Sequence, residues 1–341
     1  MEIREFEGLA VQQNSSKNHE TVSPSFQNAL QRIRDDSSSG AAEIALQVLK
    51  AIQIESKASS DLSKQKQLQN LQNCAKLLLK THPEMAVLDS VLREFLGRVE
   101  TQFLERKNLI DQSRVIDAVY LSLSQDLRLR EDQVAANLAN HLEGYSTIIT
   151  LSWSSTVYHS LAKLIQNPKA QTKKIIVAES RPLLEGRTLA AKLGQLGFEV
   201  NLIIDAAMGR FCSEADIAIC GADTVLANGS ILNKVGTYLL ALCCAHYARQ
   251  IPFVVASTTT KFSYPSLKEN YTPIINQQPP EEILENWQTT EVLPRNEYFE
   301  IVPQELISAL ITEKGAISQK IGENVKQILQ ERFNGFTEEV V

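Results

Sequence analysis

Residues 221–238 read G-A-D-T-V-L-A-N-G-S-I-L-N-K-V-G-T-Y, and they follow the apolar run Ala215-Asp216-Ile217-Ala218-Ile219-Cys220. A run of that length bounded by polar residues predicts a buried strand, which brings Asp223 out at its carboxyl end. In an open α/β sheet that end faces the crevice where ligands bind. The spacing then predicts a helix over 233–249, opened by Asn233 and Lys234. A helix start has free backbone N–H groups and a positive dipole end, so a lysine beside it suits a phosphate.

Working outward, short apolar runs alternate with amphipathic stretches from about residue 144 onward. Strands are predicted at 146–152, 174–178, 198–204, 217–220 and 253–256, and helices at 155–165, 186–196, 207–212 and 233–249. Strict alternation implies right-handed crossovers and a mainly parallel sheet. An edge strand at 298–303, ahead of a helix at Glu305, completes this half. Residues 25–140 carry apolar side chains at helical spacing, as in Val87, Leu88, Val91, Leu92, Phe95 and Leu96. They predict a helical domain. Ser37-Ser38-Ser39-Gly40 and Thr81-His82-Pro83-Glu84 supply helix starts, and the polar residues 1–24 predict a mobile arm. The α/β domain then spans 141–341.

Composition narrows the function classes. Of 341 residues 43% are hydrophobic, no apolar run approaches the roughly 18 residues of a membrane span, and the acidic start lacks a signal-peptide pattern. The expected location is the cytoplasm. A net charge of −6 argues against a surface built for nucleic acid. The five cysteines include no C-x-x-C pair and the five histidines no H-E-x-x-H spacing, so neither a disulfide framework nor a metal site is expected. No cofactor is implied.

Candidate site residues gather at predicted strand ends. Glu179, Ser180, Arg181 and Pro182 follow the second strand, Asp205 follows the third, and Asp223 follows the fourth. Arg181 is either a fork for phosphate or a structural tie to Asp205. Ser152-Trp153-Ser154-Ser155-Thr156 closes the first strand, and its hydroxyls either cap the next helix or hold a phosphate. Cys243-Cys244 sits among apolar residues and reads as packing.

Five landmarks in order carry a resemblance: I-I-T-L-S-W-S-S-T-V from Ile148, V-A-E-S-R-P-L-L-E-G from Val177, the stretch from Gly221, P-F-V-V-A-S from Pro252 and I-T-E-K-G from Ile311. Together they resemble the family that unites the α, β and δ subunits of eukaryotic initiation factor 2B with methylthioribose-1-phosphate isomerase and ribose-1,5-bisphosphate isomerase. The resemblance implies an α/β fold, with a helical N-terminal domain followed by a Rossmann-like domain that dimerises. It implies a phosphorylated ligand at Asp223, Asn233 and Lys234, and initiation-factor subunits as partners. The isomerases pair that aspartate with a cysteine after the first strand; Ser152 stands there in this chain. They also carry an Arg-Gly-Ala phosphate turn, where this chain has Ser39-Gly40-Ala41. A hydroxyl without an adjacent base cannot replace a thiol of pKa about 8.5. The expected function is therefore a regulatory protein with a retained sugar-phosphate or nucleotide-monophosphate pocket, and an aldose-ketose isomerase is the rival.

Overall fold

Continuous apolar strands require cover on both faces, and the sheet of this chain receives it. The computed structural model describes residues 22–36, 39–105, 111–172, 174–247, 250–284, 287 and 291–333. The expected arm lies almost wholly outside them. Strands β1 (Thr147–Leu151), β2 (Lys174–Ala178), β3 (Glu199–Ile203), β4 (Ile217–Cys220), β5 (Thr224–Val225), β6 (Ile231–Lys234), β7 (Phe253–Ala256), β8 (Phe299–Val302), β9 (Ala309–Thr312) and β10 (Gly315–Ile317) form two sheets. The larger runs β10-β9-β7-β4-β1-β2-β3, and only β10 is antiparallel to its neighbour.

Side chains alternate between the two faces of this sheet. Ile148, Ile175, Ile217 and Val254 meet the helices α5 (Gln112–His141), α6 (Ser155–Leu164) and α7 (Glu185–Gln195). Ile149, Ile176, Ala218 and Val255 meet α8 (Met208–Cys212), α9 (Thr237–His246) and, after the single-turn α10 (Glu281–Leu284), α11 (Ile321–Phe333). The chain leaves β1 for β2 and β3, then returns to lay β4 on the other side of β1. Strand order reverses there, so a crevice opens between the carboxyl ends of β1 and β4.

Ahead of the sheet, α1 (Pro24–Asp35), α2 (Ala41–Ala58), α3 (Lys64–Leu79), α4 (Ala86–Glu105) and the first part of α5 bury one core, with Phe26, Ile44, Leu49, Leu71, Leu92 and Phe95 inside it. Ser23 caps α1 by accepting the Phe26 N–H at 3.2 Å, and Pro24 occupies the first turn, where its missing N–H costs nothing.

Three expectations need correction. Asn233 and Lys234 do not open a helix: they end β6, which pairs with β5 and β8 in a three-stranded antiparallel sheet. The turn follows at Gly236, whose φ of +100° is the left-handed conformation that glycine adopts without strain, and α9 begins only at Thr237. At its other end α9 stops at His246, and residues 248 and 249 lie outside the described ones. The helix expected at Glu305 is a single 3-10 turn, Gln304–Leu306, and the I-T-E-K-G landmark is the β9–β10 hairpin. Local periodicity missed these because short amphipathic strands and single turns carry too few residues to show a period.

Two ties hold the helical core to the sheet. The Thr224 hydroxyl donates to the Glu84 carbonyl at 2.7 Å and accepts the Ala86 N–H at 2.9 Å. On the outer side, Glu94 of α4 receives Arg98 at 2.6 Å, Arg130 at 3.3 Å and Arg332 of α11 at 2.9 Å, while Arg332 also donates to the Thr259 carbonyl at 2.8 Å. Burial opposes the charge on Glu94, but the guanidiniums of Arg130, Arg332 and Arg98 outweigh it and hold its carboxyl below the ordinary glutamate range. A lowered folded pKa stabilises the fold above the unfolded value and loses that contribution as pH falls through the folded one. Glu94→Gln is therefore expected to cost on the order of 3 kcal/mol in urea unfolding at pH 7. The gap between variant and wild type should close as pH drops below about 4.3. An equal gap at pH 7 and pH 3 would contradict this account.

Candidate functional site

At the β1/β4 reversal lies a cavity of about 470 Å³. Its floor is the ends of β1 and β4, and its opposite wall comes from the segments that lead into α2 and α4. Close approach of the two strand ends depends on Gly221: a Cβ there would stand 2.6 Å from Ser154 Oγ, nearer than atoms pack.

Ser152 sits where β1 ends, buried and in the left-handed conformation at φ +59°. Its N–H donates to Ser180 Oγ at 2.7 Å. Ser180 is itself left-handed, and the N–H groups of Ser180 and Arg181 donate to the Asp205 carboxylate at 2.8 and 2.7 Å. Asp205 thus serves the backbone. Arg181 is exposed, lies outside the cavity lining and aims its guanidinium at the Glu282 carbonyl, 3.5 Å away. The cavity gathers Ser152, Asp223, Asn233 and Lys234 of the expected set, and leaves out Arg181.

Lys234 differs from expectation in chemistry as well as in backbone. Its ammonium is buried 2.5 Å from Glu185 Oε1, over the rings of Tyr298 at 4.6 Å and Phe299 at 5.6 Å. The N-terminus of α9 is occupied too, because the Glu300 carboxylate accepts the N–H groups of Gly236 at 2.6 Å and Tyr238 at 2.9 Å. A protein carboxylate therefore takes the place at this helix start that the sequence reading left for a phosphate. Asn233 donates to Thr237 Oγ1 at 2.9 Å.

Among the described residues, the buried cation of the lining without an ion pair is Lys261, which the sequence reading passed over; Arg34, exposed at the same lining, donates to Gln31 Oε1 at 3.4 Å. Lys261 lies on the 3-10 turn Thr259–Lys261 that follows β7, is only 5% exposed, and makes no ion pair among the described residues. A buried ammonium without a counter-ion is costly unless an anion joins it. The signal was the S-T-T-T-K run at 257–261, directly after the predicted strand at 253–256. Asp223, half-buried beside it, has its carboxyl pushed up by burial; Lys261 and Lys234 pull it down, and Glu84 and Glu185 push it up further. A raised carboxyl holds its proton more readily than a free aspartate does.

His82 and Glu84 complete the opposite wall, where the sequence suggested only a helix start. His82 Nε2 lies 2.8 Å from the Ile33 carbonyl, so it must donate, and Nδ1 then faces Glu84 Oε1 at 3.3 Å. Burial disfavours the imidazolium, yet the Glu84 contact and the carbonyl outweigh it and raise the His82 pKa. The cavity lining thus includes the basic side chains Arg34, His82, Lys234 and Lys261 and the acidic side chains Asp36, Glu84, Glu185 and Asp223. Two long-helix starts also face it. α2 begins behind Gly40, which has no side chain to cap it, and α6 begins behind Ser154, whose hydroxyl accepts the Val157 N–H at 3.3 Å.

Neither Cys212 nor Cys220 lines the cavity. Cys212 and Cys244 pack in the core with sulfurs 3.5 Å apart, and burial pushes the Cys220 thiol up, away from reactivity. Among the described residues no group of three His, Cys, Asp or Glu side chains could hold a metal ion, and no helix is long and apolar enough to cross a membrane.

Comparison with known proteins gives this geometry its kin. A translation initiation factor eIF-2B subunit 2-like protein of Pyrococcus horikoshii is 34% identical over 242 residues, 70% of this chain and 78% of the relative. The ribose 1,5-bisphosphate isomerase of Archaeoglobus fulgidus is 32% identical over 296 residues, 85% of this chain and 88% of that one. The crystal structure of the translation initiation factor eIF-2B of Pyrococcus horikoshii OT3 superposes with a TM-score of 0.71 at 27% identity, covering 87% of this chain and 98% of its own. Relatives thus divide between initiation-factor-like proteins and isomerases at similar identity. The profile of the Initiation factor 2 subunit family matches residues 37–319, as the five landmarks led us to expect, and the chain belongs to that family.

Proposed function

We propose that this protein is a non-catalytic, initiation factor 2B-like regulatory protein of the cytoplasm that binds a sugar phosphate or nucleoside monophosphate in the β1/β4 cavity. One observation carries the reading: Lys261 is 5% exposed, has no carboxylate within ion-pair distance among the described residues and shares the cavity with Asp223, and two helix starts face the same space. A phosphate satisfies both at once, while the neighbouring Asp223 accepts from hydroxyls of the ligand. Ser152 supplies no thiol for proton transfer, which sets the chain apart from the isomerases that it resembles. The rival, an aldose-ketose isomerase, draws on the raised Asp223 carboxyl, which is suited to acid-base work.

The ligand reading separates the two lysines. Lys261→Met should weaken binding of ribose 5-phosphate by roughly ten- to a hundred-fold in calorimetry, the worth of one charge-assisted contact. Lys234→Met should instead lower thermal stability, because it strands the Glu185 carboxylate in a closed site. Unchanged affinity in Lys261→Met would overturn the phosphate reading.

The rival is tested by turnover. Purified protein is expected to leave ribose 1,5-bisphosphate and methylthioribose 1-phosphate unconverted; conversion abolished by Asp223→Asn would establish an isomerase.

Assembly follows from a third feature. α9 is apolar around its circumference and exposes Tyr238, Leu239 and Leu242, and β8, packed against it, adds Ile301. A face of this kind pairs with a second copy through the α/β half, and partner initiation-factor subunits would use the same surface. Sedimentation should report a dimer at micromolar concentration and a monomer for Leu242→Glu. A monomeric wild-type protein would refute this assembly.

A further inference from the structure

Helix α5 serves two cores in turn. Ile116, Val119, Leu123 and Leu127 pack into the helical half, whereas Val134 and Leu138 pack against the sheet. The residues between, 128–133, read R-L-R-E-D-Q and give neither core an apolar side chain, since Leu129 is exposed. At this changeover α2 presents the small side chains Ala42 and Ala45, and a second cavity of about 360 Å³ opens between α2, α5 and the start of α6. Ser155 lines both this cavity and the one at the β1/β4 reversal.

Ala45, Leu46, Val87 and Leu127 give the second cavity an apolar floor. Its volume lies in the range of small-molecule pockets, roughly 300–1,000 Å³, and an apolar floor of this kind gains by being covered with something other than water. Charge is confined to the edge. The lining carries three carboxylates, Glu43, Glu131 and Asp132, together with the guanidinium of Arg128 and the imidazole of His159. Asp132 is paired with Lys163 of α6 at 2.8 Å. Glu131, half-buried, accepts the Thr156 hydroxyl on Oε2 at 2.8 Å, which fixes its carboxylate and leaves Oε1 to accept. Neither Glu131, Glu43 nor Arg128 makes an ion pair among the described residues. Two unmatched carboxylates against one guanidinium leave the edge net negative, so it attracts a cation and repels an anion. The ligand that answers both parts has one positive end and an apolar remainder.

We propose that this cavity binds a primary ammonium ion carrying an apolar body, with the ammonium at Glu131 and the body over Ala45, Leu46, Val87 and Leu127. The site is separate from the phosphate reading and stands or falls without it. Calorimetry of the full chain at pH 7 with hexylamine, butylamine, 1-hexanol and hexanoate tests it. Hexylamine should bind wild type about ten-fold tighter than butylamine, at about three- to four-fold per methylene buried, and about ten-fold or more tighter than hexanol or hexanoate. Glu131→Gln, which keeps an acceptor for Thr156, should weaken hexylamine about ten-fold and leave hexanol unchanged. Leu46→Trp, which fills the floor from a half-buried position, should abolish the binding of hexylamine while the protein keeps its melting temperature. Should that variant fold poorly, Glu131→Gln decides alone. Hexanol or hexanoate bound as tightly as hexylamine, hexylamine affinity untouched by Glu131→Gln or by a folded Leu46→Trp, or no binding of hexylamine at millimolar concentration would each overturn the proposal.

Discussion

The reversal of strand order at β1 is the constraint on which the rest depends. Because the chain runs outward through β2 and β3 and then returns to β4, no crossover covers the carboxyl ends of β1 and β4. The gap has to be walled by something else. Here the helical half supplies the wall, tied down by Thr224 on one side and by the Glu94–Arg332 clasp on the other. A site made between two packed halves keeps its polar groups out of bulk water, where charge interactions weaken.

Within that enclosure, most polar groups answer one another. Asp205 holds two backbone N–H groups, Glu300 caps α9, Glu185 neutralises Lys234, and His82 bridges Glu84 and the Ile33 carbonyl. Each pairing fixes a backbone or a side chain at the cost of removing it from ligand chemistry. What remains is a short set: Lys261, the raised Asp223 carboxyl and the starts of α2 and α6. In the reading proposed above such a set serves recognition rather than turnover, with an anion matched at Lys261 and a hydroxyl, not a thiol, at Ser152.

The sheet was legible because its buried strands are uninterrupted apolar runs, and β2, β4 and β7 fall on their predicted residues, 174–178, 217–220 and 253–256. Ser152 and Asp223 were legible for the same reason, as residues that end such strands. The small antiparallel sheet was not. Asn233-Lys234 shares its polarity with a helix start, and only pairing with β8, some sixty residues on, decides for a strand. Sequence distance likewise hid Glu300 and Glu185, so a lysine that looked ready for a ligand is matched within the protein. Lys261 escaped notice because burial and the lack of a partner are properties of the folded chain, and neither shows in a run of threonines.

A crystal structure of the protein with ribose 5-phosphate tests the central claim most directly. The phosphate is predicted within hydrogen-bond reach of Lys261 Nζ, facing the starts of α2 and α6, with the Lys234–Glu185 pair intact. A phosphate that instead pulled Lys234 from Glu185, or one bound outside the β1/β4 cavity, would contradict the account.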